Sequence, residues 1–484
     1  MTARTLATCP TPLRSWRDLP GPRGLPLLGS ALETDSKAFH RTLEAWYAKF
    51  GGTYTFSIGP KRFVVFGDTS TVRELLHRRP LEFSRGRHVE AIMTEIGIEG
   101  VFNAEGDRWR KMRKLVTSSF TPTQVGRFVP TMLEICDGLY LRWQTAAASG
   151  EAIDIQADLE RFSMDVTSML AFGYAGHSAD GEADALRRDI DLVFPALARR
   201  LVAPIPYWRY FKLPRDRALD RALGRIRARL GAIILKARER LAREPERCKR
   251  PTTMLEAMLA TWPSEDGGEA RTDAEVLGNV MTILLAGEDT TAHSLAWAVH
   301  ELSSKPAMRQ RLRADLDQQF GERRRMNSLD DVKALPYLDG IIQETFRMRS
   351  VAPLMFVQAI EPTHVQGVEL TPDVIAVVLT RTPGGNDSSF SEAKNFDPLR
   401  WMRKDEANVA RCPMHDPKAM LAFGAGSRIC PGRGLAVAEM HCVLGMLYRN
   451  FEVETLADPE TVTERFSFTM VPVGLQVRLR ARIR

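Results

Sequence analysis

The chain has 484 residues, 44% hydrophobic and 26% charged, the balance of an ordinary globular protein with room for one large domain or several average ones. Lys and Arg number 67 against 60 Asp and Glu, a net charge of +7. The arginines are spread along the chain, which argues against a nucleic-acid-binding tail. Cys9, Cys136, Cys248, Cys412, Cys430 and Cys442 form no CxxC pair or disulfide framework, and no apolar run approaches the ~20 residues of a bilayer span, so a reduced, cytoplasmic chain is expected.

In chain order, Met1–Arg17 lacks the apolar core of a signal peptide. Arg4, Arg14 and Arg17, with no acid before Asp18, leave a short organelle transit peptide open beside a disordered tail. Leu19-Pro-Gly-Pro-Arg-Gly-Leu-Pro26 is too rich in proline and glycine for helix. We read residues 1–24 as a tail and Pro-rich lead-in and 25–484 as a single domain. A helix is predicted over about Ser36–Phe50, then strands over Thr53–Ile58 and Arg62–Phe66 with a turn at Gly59-Pro60. From Thr69 to about Glu256 the pattern is largely helical, broken by loops at Ser84–Val101 and Pro204–Pro214. A further loop covers Pro263–Gly268.

Thr272-Asp-Ala-Glu275 has the form of a capping box and opens a long helix running to about Ser303, roughly 45 Å at 1.5 Å per residue. Its middle, Val280–Ala286, is apolar nearly all round and should cross the interior. Asp289 and Thr290 sit in that apolar setting, where polar groups are costly unless bonded or used. Thr290 can bond back to the Ala286 carbonyl and widen the helix at Ala286-Gly287. Another helix spans about Leu335–Arg349; Glu344 and Arg347, three apart on it, share a face and can pair. Short strands follow at Ile375–Thr380 and in the last ~30 residues, where Val473-Gly474 suits a hairpin. Earlier in the chain, Trp109 and Arg113 are four apart on a predicted basic helix that also carries Arg108, Arg110, Lys111 and Lys114.

The most informative segment is Phe423-Gly-Ala-Gly-Ser-Arg-Ile-Cys-Pro-Gly432, a cysteine in a tight glycine loop ahead of a predicted helix over Leu435–Tyr448. Loop amides and the positive end of a helix dipole stabilise a thiolate. Gly424, Gly426 and Gly432 let the backbone curl round the sulfur and lie flat against a planar cofactor. Arg428 can pair with a carboxylate of that cofactor. A lone cysteine in a glycine turn is usually structural; the whole pattern points to chemistry.

That segment resembles the haem-binding signature of the cytochrome P-450 superfamily, Phe-x-x-Gly-x-Arg-x-Cys-x-Gly. Three further stretches agree, in the family's order: Ala286-Gly-Glu-Asp-Thr-Thr291, similar to its oxygen-activation motif; Glu344-Thr-Phe-Arg347, similar to its Glu-x-x-Arg helix; and Phe396-Asp-Pro-Leu-Arg400-Trp401. The resemblance extends from about Leu19 to the C-terminus. It implies a mainly α, prism-shaped fold with small β-sheets, and haem b between the long helix and the cysteine loop. Cys430 would be the axial ligand, with Phe423, Arg428 and Gly432 around the cofactor and Trp109 and Arg113 on its propionates. Asp289 and Thr290, beside Ala286 and Gly287, would relay protons through water towards the iron. Glu344, Arg347 and Arg400 would form a buried structural ion network.

Two features depart from the family. No Arg or His lies between Arg349 and His364, where many members place a propionate partner, and Gly384-Gly385-Asn386 replaces a usual His/Asn-Arg-Asp triplet. The implied reaction is hydroxylation with dioxygen, by a soluble, bacterial-type, monomeric enzyme. Electrons, ultimately from NAD(P)H, would come from a separate ferredoxin or flavodoxin-type donor docking on the basic Trp109 helix, since no flavin or iron–sulfur motif is present. The expected pocket is apolar, from Val351, Ala352, Leu354 and Met355 with Met470 and Val471, for a terpenoid, steroid or fatty-acyl substrate, with Pro206-Tyr-Trp-Arg-Tyr-Phe211 as a lid. The rival readings are a peroxide-using or isomerising enzyme without a redox partner and a non-catalytic haem sensor.

Overall fold

Residues 13–173, 182–203, 205–260, 273–402 and 415–482 are described by the structure, a computed structural model. The capping box at Thr272, the loop at 263–268, Cys9 and Cys412 lie outside them. Strands β1 (Thr53–Ile58) and β2 (Lys61–Phe66) pair antiparallel through a turn at Gly59, whose φ of 56° suits glycine. With β3 (Phe83–Ser84), β5 (Leu354–Ala359) and β8 (Val374–Leu379) they form a five-stranded sheet in the order β1-β2-β8-β5-β3. Phe63–Phe66 and Ala376–Leu379 are buried on both faces, as in a sheet covered on either side. Smaller sheets join β4 (Ala152–Asp154), β12 (Gln476–Ala481) and β9 (Phe451–Thr455), β6 (Thr363–Val365) with β7 (Val368–Leu370), and β10 (Thr463–Ser467) with β11 (Thr469–Val473).

The rest is mostly helical: α1 (Phe39–Phe50), α2 (Thr69–Arg78), α3 (Arg87–Ile96), α4 (Gly106–Ser119), α5 (Pro122–Ser149), α6 (Ile155–Phe172), α7 (Glu182–Ile190), α8 (Val193–Val202), α9 (Pro214–Arg243), α10 (Glu246–Lys249), α11 (Met254–Ala260), α12 (Asp273–Ser303), α13 (Pro306–Phe320), α14 (Leu329–Lys333), α15 (Pro336–Met348) and α16 (Arg433–Asn450). This is the mainly α architecture with small sheets that the sequence implied. Helix α12 is buried on every side over 291–302, as its apolar composition requires. It packs most extensively on α6, where a Cβ at Gly287 would come within 2.3 Å of Thr167 Oγ1. Glycine at 287 is therefore first a packing requirement. Helices α5, α6, α12, α13, α15 and α16 share one large core. Among the described residues, no helix is long and apolar enough to cross a membrane.

Two expectations are corrected. The predicted loop at 84–101 contains α3, stopped by Gly97 in the left-handed region. Gly474 (φ 95°) does not close a hairpin: β11 ends before it and β12 leaves to pair with β4 and β9. The hairpin there is β10–β11, and its tip is Phe468, with φ 66°.

Candidate functional site

The cysteine loop is built by its own backbone. Gly424 and Gly426 have φ of 71° and 68°. A Cβ on Gly426 would lie 2.6 Å from the Leu76 carbonyl oxygen of α2, so only glycine lets the loop seat there. The Cys430 amide donates to the Phe423 carbonyl at 2.9 Å, and Phe423 packs edge-on against Phe346 of α15 at 4.7 Å. The Gly432 and Arg433 amides, at the start of α16, donate to the Cys430 sulfur. Burial pushes the thiol up; those amides, with Arg113 and Arg433, pull it down. The side chain is nonetheless exposed, so a ligand can reach the sulfur. Gly432 has φ −79° and a Cβ there would meet nothing nearer than 3.9 Å. Neither backbone nor packing demands glycine at 432. Room left on the sulfur side of a loop with amide donors fits a planar group bound through the thiolate.

Helix α4 lies beside this loop. Arg113 Nη2 donates to the Ile429 carbonyl at 2.5 Å. The Arg428 guanidinium lies 4.7 Å from the centre of the buried Trp109 ring. Arg428 is not simply free for a ligand: it donates to the Ala104 carbonyl at 2.7 Å and pairs with Glu105. Burial lowers its pKa, and Glu105 counters that. Two residues unforeseen from the sequence join here. Arg85 donates to the Phe102 carbonyl at 2.8 Å with its guanidinium 3.5 Å from that ring's centre, and Arg79 is buried close enough to repel it.

On α12, Ala286 is exposed although 280–285 and 291–302 are buried, which marks the one face of that stretch turned to open space. Thr290 Oγ1 donates to the Ala286 carbonyl at 2.6 Å, the expected back-bond. Burial holds the Asp289 carboxyl up at about 6, against a downward pull from His293. Glu288 is 1% exposed, and among the described residues neither carboxylate oxygen has a partner. Burial, with Asp289 beside it, raises its pKa well above the usual carboxylate range. Glu160 of α6 lies 3.4 Å from His293 Nε2, and Thr469 meets His293 Nδ1 at 3.2 Å. This acid–histidine group behind α12 was not visible in the sequence, since its members are over a hundred residues apart.

Glu344, Arg347 and Arg400 are brought together. Arg347 Nε and Nη2 each donate to Glu344 at 2.7 Å, and Arg400 Nε donates to Glu344 Oε1 at 2.9 Å. Trp401 Nε1 adds a bond of 2.8 Å and the Asp397 amide one of 2.9 Å. Arg347 also donates to the Gly384 and Ala393 carbonyls. A Cβ on Gly384 would sit 3.0 Å from the Arg347 carbonyl oxygen. The unusual glycine is thus where this loop closes on α15.

A cavity of about 980 Å³, counting space open to solvent, is lined by Ala286, Thr290, Ala352, Leu354 and Met355. Val351, Met470 and Val471 do not line it. Val351 packs with a separate cluster around β1 and α1, as does Met470, and the Met470 carbonyl accepts from Trp297. Val471 is buried on β11. The hairpin contributes Phe466, Phe468 and Thr469 instead, because its tip at Phe468 and the strand ends beside it, rather than the middle of β11, reach the space. Phe194, Leu197 and Leu201 of α8 and Phe102 complete an apolar wall. The expected lid is anchored: Trp208 is buried and donates to Glu95 at 2.8 Å, while Tyr210 and Phe211 are exposed.

Comparison with known proteins agrees with this geometry. The family model described as Cytochrome P450 matches residues 19–479. The chain is 25% identical over 466 residues to the protein LUTEIN DEFICIENT 5, chloroplastic, of Arabidopsis thaliana, covering 90% of this chain and 73% of the relative. It is 26% identical to Cytochrome P450 81Q32 of Catharanthus roseus, covering 92% and 87%. It is 22% identical to a bifunctional cytochrome P450/NADPH–P450 reductase of Gibberella moniliformis, covering 96% of this chain but 41% of that one. None of these three is bacterial.

Proposed function

The chain belongs to the cytochrome P450 family and is a cytochrome P450 monooxygenase, and we propose that it hydroxylates a largely apolar small molecule, of terpenoid, steroid or fatty-acyl type, with electrons from a separate ferredoxin- or flavodoxin-type donor. The observation that carries the substrate class is the cavity wall: apolar side chains throughout, interrupted by Arg85, Thr282, Thr290 and Thr469. Such a wall binds by burying apolar area, at about 25 cal/mol per Å², and penalises an unpaired charge deep within it. A library screen for haem spin-state shifts tests the reading. Lipophilic compounds should shift the spectrum; tight shifts from small, highly charged molecules alone would overturn it. The shared core that ties α5 to α16 supports reading 25–484 as one domain.

Haem b would be held through Cys430 and, when bound, would supply oxygen activation assisted by thiolate donation. The protein holds the thiolate with the Gly432 and Arg433 amides and excludes water with the α8 and hairpin aromatics. Thr290 commits its proton to Ala286, so its oxygen offers lone pairs to the cavity. Asp289, with its carboxyl near 6, exchanges protons at working pH, as a relay requires. We expect Thr290→Ala to bind substrate almost normally yet divert reducing equivalents to peroxide, with product per electron falling on the order of tenfold or more. A carboxyl that donates is competent when protonated. In wild type, proton delivery should therefore weaken as pH rises through about 6; Asp289→Asn should be slow and lose that dependence. Stopped-flow turnover with peroxide assay checks both, and unchanged coupling in Thr290→Ala would leave that hydroxyl a purely structural role.

Arg110, Lys111 and Lys114 are exposed on α4, the helix that touches the cysteine loop through Arg113. That basic face supports docking of an acidic donor. Reversing the three charges should slow reduction on the order of tenfold at low salt and flatten its salt dependence, because rim charges act mainly on association rate. Substrate binding should not change. Equal reduction rates would move the docking surface elsewhere.

A further inference from the structure

Arg79, which follows α2, is 2% exposed. Its Nη1 lies 2.7 Å from Met355 Sδ, a weak acceptor. Its Nε and Nη2 are buried, and neither has a partner among the described residues. Burial lowers its pKa only to about 10, so it stays charged at neutral pH. Buried cations without an anion are rare because desolvation is then uncompensated.

Its charged surroundings sharpen the point. Arg85 and Arg428 repel it, and Glu105 is the carboxylate acting on all three. Glu105 is already engaged by Arg428 and by the Arg85 amide. Arg113, the other cation acting on Arg428, is turned to the Ile429 carbonyl and the Cys430 sulfur. Three guanidiniums and one carboxylate thus leave two positive charges beside the cysteine loop. A ligand with two carboxylates balances them. Met355, which Arg79 touches, lies in the stretch between Arg349 and His364 that has no Arg or His of its own.

We propose that Arg79 is a cofactor anchor whose Nε and Nη2 take a haem propionate, reaching from the end of α2 to serve a strand that lacks a cation. The proposal rests on the haem reading above, and the test separates the two. Wild type, Arg79→Met and Arg79→Lys are purified as holoproteins and checked for a thiolate-type reduced carbon monoxide spectrum. Haem loss to an excess of haem-scavenging apoprotein is then measured. The measurement is repeated after reconstitution with haem dimethyl ester, whose propionates carry no charge. Wild type should lose the ester faster than haem. Arg79→Met should lose haem about tenfold or more faster than wild type, the worth of a charge-assisted bond, yet lose the ester at the wild-type rate. Arg79→Lys, keeping charge without the fork, should fall between. Equal acceleration for both cofactors would make Arg79 a packing residue and overturn the proposal. So would a wild type that does not distinguish haem from ester, a result that needs no variant to fold. A wild type with no thiolate-type complex would sink the haem reading itself and the proposal with it.

Discussion

Cys430→Ser should be purified with little haem, and any haem it retains should lack the thiolate-type spectrum in its reduced carbon monoxide complex. The other described cysteines are poorly placed to substitute. Cys136 and Cys442 are buried in the core shared by α5 and α16, 3.9 Å apart from sulfur to carbonyl oxygen. Cys248 is exposed on α10. Cys430 has loop amides aimed at its sulfur and glycine rather than bulk beside it. A serine hydroxyl in the same place would remain protonated and be a poor donor to iron. Loss of an outer partner of a metal ligand already costs roughly 10- to 100-fold in affinity, so loss of the ligand should cost at least that. Pyridine haemochrome content and the carbon monoxide difference spectrum check it. A normal thiolate spectrum in the variant would mean that another cysteine binds the iron.

How much of this was legible in the sequence follows from how local each interaction is. Phe423–Gly432 carries its glycines and cysteine within ten residues and the helix follows directly, so spacing alone described the loop. Glu344 and Arg347 share a helix turn, and Arg400 followed from the family's order. Arg79 gave no signal, because it reads as an ordinary basic residue ending a helix. Only the seating of α2 on the loop at Gly426 brings it to Arg428. Glu160 and His293 meet only because α6 crosses α12 where Gly287 permits it. The hairpin residues were misjudged for a different reason. Both faces of β11 are buried over Thr469–Pro472, so alternation cannot tell which side chains face a cavity. The loop expected at 84–101 hid a ten-residue helix between glycines at 86 and 97, short enough for the glycines to dominate the pattern.

Removing the carboxylate at 344 should disable the protein as thoroughly as removing the thiolate, by a different route. Glu344 is fully buried and accepts five hydrogen bonds, from Arg347 twice, Arg400, Trp401 and the Asp397 amide. In Glu344→Ala two buried guanidiniums, 0% and 1% exposed in their side chains, would face each other with no anion. Stranding a buried charge costs about 3–5 kcal/mol, against a total stability of about 5–15 kcal/mol for a folded protein. The carbonyls of Gly384, Ala393 and Asn395 would still hold Arg347, so the segment from 384 to 401 would loosen rather than detach. Glu344→Gln is the sharper probe: it keeps the shape but turns an amide towards Arg347 and Trp401, replacing an acceptor by a donor. Both variants should give low soluble yield, a lower unfolding midpoint and little haem, with Glu344→Ala the worse. Double substitution of Glu344 and Arg347 by apolar residues should recover part of the loss, because it removes one stranded charge. A Glu344→Ala protein with wild-type stability and full haem content would show that the network contributes nothing to the segment it ties to α15.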